Sequence, residues 1–308
     1  MSHSSPILRL GTRGSALALT QARLVRAALA RAHGYEESAV ALVPIKTSGD
    51  AIQDRSLAEE GGKGLFAKEI EEALRAGKID LAVHSAKDLP ALLPEGLTVK
   101  ACLQREDPRD VFIGIAATTV AGLPRGARVG TTSPRRIALV KRLRPDLAIV
   151  PMRGNVETRL RKLESGEADG IILALAGLNR LGFAGRATDV MSLETFLPAA
   201  GQGAIAIETR DDDDKTNAAV ARIDHAQTTL ALAAERAFVA VLEGDCNSPI
   251  AAHAAIEGNA LTFRGLVARP DGDVVHDIMA TGVRADAEKI GGEAGRALKQ
   301  RIGPDFFT

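Results

Sequence analysis

From residue 7 to residue 208, short apolar runs alternate with amphipathic stretches. That alternation restricts this part of the chain to an α/β architecture, with strands covered by helices. The runs at 7–10, 40–45 and 81–84 read as strands. After the first, Ser15 is placed to cap a helix carrying Leu17, Leu24, Val25, Ala28 and Leu29 on one side, and Gly34 can stop it. Residues 46–64 hold Gly49, Gly61, Gly62 and Gly64 among many charges without a period, and read as a long loop of the lid kind. Leu65, Phe66, Ile70, Ala73 and Leu74 restart the helical period, which Gly77 ends.

A second α/β block begins near Arg105-Glu106-Asp107-Pro108, with strands expected at 111–115, 127–130, 147–152 and 170–175. The glycine-containing crossing at 198–203 leads into a strand at 204–208, and the acidic run 211–214 reads as a solvated loop or linker. The last third differs. An Ala-rich helix at 228–242 precedes antiparallel strands at 251–256, 261–267 and 274–280, with turns at Gly258-Asn259 and Pro270-Asp271-Gly272, and a closing helix at 285–300. This is a small α+β domain.

Composition excludes several function classes. The 308 residues suffice for two or three domains. Lys plus Arg and Asp plus Glu number 39 each, so the net charge is zero, against a broadly basic nucleic-acid binder. With no Trp, one Tyr and eight Phe, the chain offers few faces on which bases could stack. No run approaches the roughly 20 apolar residues of a membrane span, and the first residues lack a secretory pattern. The expectation is a cytoplasmic protein with no nucleic-acid or membrane partner. Cys102 and Cys246 suggest no disulfide framework, and the six histidines show no metal-ligand spacing, so no metal site is expected.

Basic residues recur where strands give way to helices: Arg13 in GTRGS, Lys87 in HSAKD, Arg135 and Arg136 in GTTSPRR, and Arg153 in MRGN. In open α/β sheets the crevice beyond the strands' carboxyl ends is the usual ligand site. Ser133, with Pro134 at the first helical position, and Asn155 can each cap a helix whose free N–H groups favour anions. Guanidinium forks add two-pronged pairing with carboxylates. Such a set implies a ligand bearing several negative groups; the alternative is a set of surface ion pairs. Asp88 is the odd member. It fits chemistry that develops positive charge or moves a proton, or else a structural salt bridge with one of the arginines. Cys246, in LEGDCNSP, lies on a plausible exposed loop, either as a reactive thiol or as an inert small residue. His84 on its apolar strand reads as a satisfied core residue rather than a general base.

Taken together, the segments TRGSALAL, GGKGLFAKE, HSAKDLP, REDPRD, VGTTSPRR, RGNVETRL, ADGIILALAGLNRLG, LPAAGQGAIAIE and LEGDCNSPI resemble the porphobilinogen deaminase (hydroxymethylbilane synthase) family, in its order and over nearly the whole chain. The resemblance implies two type-II periplasmic-binding-protein-like α/β domains, 1–103 with 200–222 and 104–199, plus a small C-terminal α+β domain, 223–308. It implies a dipyrromethane cofactor bound as a thioether at Cys246, on which four porphobilinogen units are joined head to tail with release of ammonia. Ser15, Lys87, Asp88, Ser133, Arg135 and Arg136 are then expected at the cofactor, and Arg13, Arg153, Arg159, Arg180, Lys63 and Phe66 at the substrate. Loss of ammonia from porphobilinogen leaves a cationic methylene-pyrrolenine, which Asp88 would stabilise as the catalytic residue. The resemblance further implies a monomer. Two departures stand out: Glu59 where many members carry lysine, and Pro134 where leucine is usual. A solute-binding protein for an anion would share the fold and the strand-end arginines, yet would need neither Asp88 nor Cys246. A transcription-factor regulatory domain would require a helix-turn-helix segment, which is not evident.

Overall fold

The computed structural model describes residues 6–51, 67–243, 248–303 and 306–307. In chain order, the first elements are β1 (Leu8–Arg13), α1 (Ala16–His33), β2 (Val40–Ile45), α2 (Ser48–Ala51), α3 (Lys68–Arg75), β3 (Leu81–Ser85) and β4 (Leu97–Cys102). Then follow β5 (Asp110–Gly114), β6 (Arg128–Gly130), α4 (Pro134–Leu143), β7 (Ala148–Val150), α5 (Val156–Glu164), β8 (Gly170–Ala174), α6 (Leu175–Leu181) and β9 (Asp189–Val190). The remainder is β10 (Ile205–Arg210), α7 (Asp214–Ala221), α8 (Ala226–Val241), β11 (Ile250–Glu257), β12 (Ala260–Ala268), β13 (Val275–Val283) and α9 (Ala287–Ile302).

The chain divides into two compact units, Met1–Glu106 with Ala204–Thr229, and Asp107–Gly203 with Leu230–Thr308. The sequence-based reading divides it into three domains; here the C-terminal sheet and the central sheet fall in one unit. Within that unit, Arg264 donates to the Leu193 carbonyl at 3.1 Å and the Ala252 N–H to the Pro198 carbonyl at 3.1 Å.

In the first unit the strand order is β2-β1-β3-β10-β4. The first three strands are parallel, and β10 runs antiparallel to both β3 and β4. One face of the sheet presents Leu8, Leu10, Leu81, Val83, Ile205 and Ile207 to Ala22, Val25 and Leu29 of α1. The other face, at Ala82, takes Ile70 and Leu74 of α3. Alternation along each strand sends successive side chains to these two faces. α1 is capped by Ser15 and stopped at Gly34, whose φ of 67° is the left-handed conformation that glycine adopts without penalty.

The central sheet repeats the order as β7-β6-β8-β5-β9, again with three parallel strands and an antiparallel fourth, β5. The C-terminal sheet β11-β12-β13 is wholly antiparallel. Its core joins Phe238 of α8 to Phe263, with ring centroids 5.2 Å apart, and includes Leu298 of α9. These are the mixed α/β sheets and the small α+β sheet that the sequence implies.

Candidate active site

β1 and β3 are parallel neighbours, so their carboxyl ends deliver Arg13 and Ser85 to the same edge of the sheet. Ser15 then begins α1, its Oγ accepting the Ala18 N–H at 3.3 Å. After β3 the chain makes a 3-10 turn over Ala86–Asp88, anchored where the Ala86 N–H donates to the Ala204 carbonyl at 3.0 Å. Ala86 is buried, Lys87 exposed and Asp88 partly exposed. The Asp88 carboxylate lies 3.9 Å from Arg13 Nη1. Around them is an open recess lined by Arg13, Ser15, Leu17, Ala18, Gln21, Val83, His84, Ser85 and Asp88. Gln21 is buried in α1 and grips the Ser85 hydroxyl, donating through Nε2 at 2.9 Å and accepting through Oε1 at 3.1 Å. The recess therefore combines an arginine, a helix start, a fixed hydroxyl and a carboxylate. Sequence reasoning brings Arg13, Ser15, Lys87 and Asp88 to this edge; it misses Gln21 and Ser85, although a polar Gln inside the apolar stripe of α1 was the available signal.

In the second unit, Ser133 caps α4 with Pro134 in the first turn, its Oγ accepting the Arg136 N–H at 3.5 Å. The proline in place of leucine leaves this turn helical. Arg135 and Arg136 differ from the open forks expected of them. Both are buried and turn onto Asp110, at 2.7 and 2.6 Å. Arg135 also donates to the Leu197 carbonyl at 2.8 Å and Arg136 to that of Ile172 at 2.9 Å. The reason is local: Asp110 opens β5, is wholly buried, and has no water to solvate its charge. Burial by itself raises its pKa, but the two guanidiniums outweigh that and hold the carboxyl at about 2. Gln202 Nε2 adds a third donor to Asp110, at 3.0 Å. Arg135 Nε remains buried with no partner among the described residues. Asp110 lies inside REDPRD, where a carboxylate entering an apolar strand was the signal that could have found it.

Asn155 caps α5, accepting the Thr158 N–H at 2.9 Å. Half-buried Arg153 precedes it, and Arg159 Nε donates to the Gly154 carbonyl at 2.8 Å. Arg180, near the end of α6, donates to the Gly203 carbonyl at 2.6 Å. The adjoining crossing is fastened by Glu235 of α8, buried within an Ala-rich helix. Its carboxylate accepts the N–H groups of Gly201 at 2.6 Å and Ala254 at 2.8 Å. Lys63, Phe66, Cys246 and Glu59 lie outside the described residues. Among the described residues, no group of His, Cys, Asp and Glu is arranged to hold a metal ion, and no helix is long and apolar enough to cross a membrane.

Residues 8–218 match the family described as "Porphobilinogen deaminase, dipyromethane cofactor binding domain", and residues 229–300 match "Porphobilinogen deaminase, C-terminal domain". The chain belongs to the porphobilinogen deaminase family. Among curated relatives, the porphobilinogen deaminase of Nitrobacter hamburgensis is 56% identical over 299 residues, covering 97% of this chain and 95% of the relative. That of Nitrobacter winogradskyi is 55% identical over the same shares. Among solved structures, the methionine-binding protein MetQ is similar at 15% identity with a TM-score of 0.45, over 74% of this chain and 94% of its own. A putative methionine-binding lipoprotein from Bacillus subtilis is similar at 12% identity and a TM-score of 0.44, over 71% and 90%.

Family membership makes this chain a transferase of tetrapyrrole synthesis whose N-terminal match is a dipyrromethane-binding domain. The residues present fit such a carboxylate-bearing group. Two buried guanidiniums share one carboxylate at Asp110, leaving an excess positive charge and an orphaned donor at Arg135 Nε. At the recess, Arg13 stands beside Asp88, and the exposed Lys87 precedes Asp88 on the same turn.

Proposed function

We propose that the chain joins four porphobilinogen molecules head to tail into hydroxymethylbilane, releasing ammonia at each addition, with Asp88 as its catalytic residue. The placement of Asp88 carries the reading. It is a partly exposed carboxylate on a short turn, beside Arg13 and Lys87, at the mouth of a recess otherwise suited to anions. Dipyrromethane, held as a thioether at Cys246, supplies the primer whose free pyrrole α-carbon is extended. Arg13, Lys87, Arg153, Arg159 and Arg180 pair with the acetate and propionate groups of bound pyrroles, while Ser15 and Ser133 present helix starts to them. Arg135 and Arg136 act from inside. Their shared carboxylate fixes the first turn of α4, and the buried surplus charge draws an anion toward it. Lys63 and Phe66 remain part of this proposal as substrate contacts.

Asp88 does what a cation cannot. As the substrate's C–N bond breaks and ammonia leaves, positive charge develops on the pyrrole that remains, and a carboxylate in place stabilises it without reorganisation. The same oxygens accept the pyrrole N–H and can hold a proton during the exchange. Arg13, at 3.9 Å, keeps the Asp88 carboxylate aimed while leaving room for a pyrrole N–H to approach. A carboxylate that merely neutralised Arg13 would serve as well as an amide in catalysis, and this separates the two readings of Asp88. Asp88→Asn should leave the primer attached, seen by intact mass, and lower ammonia release by roughly 10²–10⁴-fold. Equal rates in variant and parent would remove Asp88 from the chemistry. Cys246→Ala should abolish the cofactor's mass increment. The proposal includes a monomeric, cytoplasmic enzyme, and light scattering of the loaded protein tests the oligomeric part.

A further inference from the structure

Directly beneath the recess, on the sheet face covered by α3, three ionisable side chains occupy what is otherwise apolar packing. His84 Nε2 lies 3.0 Å from Glu208 Oε2, with their side chains 5% and 0% exposed. The strand register explains the pair. Ala206 is opposite His84 and Glu208 opposite Ala82, so Glu208 and His84 are diagonal neighbours on one face of the antiparallel pair. Glu71 is buried on α3 between Ile70 and Leu74, residues that pack on Ala82. Two carboxylate oxygens here, Glu71 Oε1 and Glu208 Oε1, are buried with no hydrogen-bond partner among the described residues. Two ionised carboxylates in so dry a space repel one another, which favours a proton on one of them. His84 also lines the recess that holds Asp88, four residues further along the chain.

We infer that Glu71, Glu208 and His84 form a proton-holding positioning cluster behind the recess: Glu208 fixes the His84 ring at the recess wall, and Glu71 retains one proton so that the cluster carries one negative charge fewer where acidic pyrroles bind. The inference rests on the recess being the reacting site. Glu71 behaves accordingly. Burial chiefly, and then the like charge of Glu208, push its pKa up to about 7, against opposing pulls from His84 and Arg75.

Among the described residues, other charges on these elements have partners of their own. On β10, Arg210 donates to the carbonyls of Leu74 and Ile79 and pairs with Asp213. On α3, Arg75 donates to the Glu95 carbonyl at 3.0 Å, and Glu69 accepts from Ser48. On β1, Arg9 is held by Asp80 at 2.6 Å. Glu71 is thus a group through which the charge behind the recess changes near neutrality. When it ionises, the cluster gains a negative charge, which weakens the attraction of the recess for an acidic substrate.

A readout other than activity tests this. In the full-length, primer-loaded chain labelled with ¹³C-glutamate, one side-chain carboxyl carbon titrates near pH 7, and that signal disappears in Glu71→Gln. In parallel, the ratio of KM for porphobilinogen in the parent to that in Glu71→Gln rises about threefold or more between pH 6 and pH 8. Glu208→Gln lowers kcat about tenfold with the primer attached, and Glu208→Asp restores part of it. Absence of any glutamate titrating above pH 6 in the unaltered chain, or a flat KM ratio, overturns the inference, and the first of these needs no variant to fold. Turnover surviving in Asp88→Asn would instead displace the recess from the reaction while leaving the carboxyl titration as it was, so the two failures are distinguishable.

Discussion

Asp110 and Asp88 show how one residue type takes opposite roles in the same chain. Asp110 has no exposure and is bound by two guanidiniums and an amide, so its charge is spent inside the protein. Asp88 is 36% exposed and, among the described residues, meets the edge of the Arg13 guanidinium, so its carboxylate remains available to a ligand. Removing the carboxylate of Asp110 would strand two buried cations, a loss that typically costs about 3–5 kcal/mol. Asp110→Asn should therefore lower the denaturant midpoint sharply at pH 7. The sign with pH follows from its depressed pKa. The stabilisation is complete above the ordinary carboxylate range and fades as pH falls through about 2, so parent and variant should converge in strong acid. Equal midpoints at pH 7 would mean that Arg135 and Arg136 find other partners. The motif GTTSPRR announced these arginines but not their direction, because a side chain's heading depends on what lies across the sheet. Here that is Asp110, more than twenty positions earlier in the chain.

Elements were legible where local periodicity and punctuation agreed. Ser15 and Gly34 bound α1 as their chemistry demands, and the turns at Gly258 and Gly272 separate the C-terminal strands as expected. The run 211–214, read as linker, in fact starts α7: Asp213 caps it by accepting the Thr216 N–H at 3.0 Å. Its four aspartates mimic a solvated loop, and Asp213, besides capping the helix, pairs with Arg210. β4 escaped notice because LTVKAC carries a lysine and little alternation, and it is held by pairing with β10, which arrives about a hundred residues later. Packing between elements was equally unreadable. Gly272 has φ of 73°, and a Cβ there would stand 2.2 Å from the Ala138 carbonyl oxygen of α4, so the β12–β13 turn rests directly on the helix that carries Ser133 and the arginine pair. Gly126 has a similar φ of 76° with nothing within 4 Å. Gly126→Ala should cost about 1 kcal/mol, the backbone preference alone, whereas Gly272→Ala should cost roughly 3 kcal/mol through added displacement of the turn. Thermal melts of the two variants measure the difference, and equal losses would show that the turn yields without disturbing α4.

At the scale of the molecule, each unit has its own apolar core and its own buried ionic cluster, and the two clusters depend on pH in opposite directions. Asp110, in the second unit, is a carboxylate held ionised; Glu71, in the first, is one held protonated. For Glu71 the folded pKa of about 7 lies above the ordinary value of 4.5, so its contribution is fully present below the latter and is lost as pH rises through neutrality. Glu71→Gln keeps the shape of the protonated acid without its titration. The variant should therefore gain on the parent by about 2 kcal/mol between pH 5 and pH 8, observed as a melting temperature that falls less on the alkaline side. Because Glu71 and Asp110 share no partner and belong to different units, their effects should add to within about 0.5 kcal/mol in the double variant at each pH. A larger discrepancy would reveal coupling between the two cores during unfolding. A gain that did not change with pH would show that Glu71 is ionised throughout, and that amide packing alone accounts for the effect of the substitution.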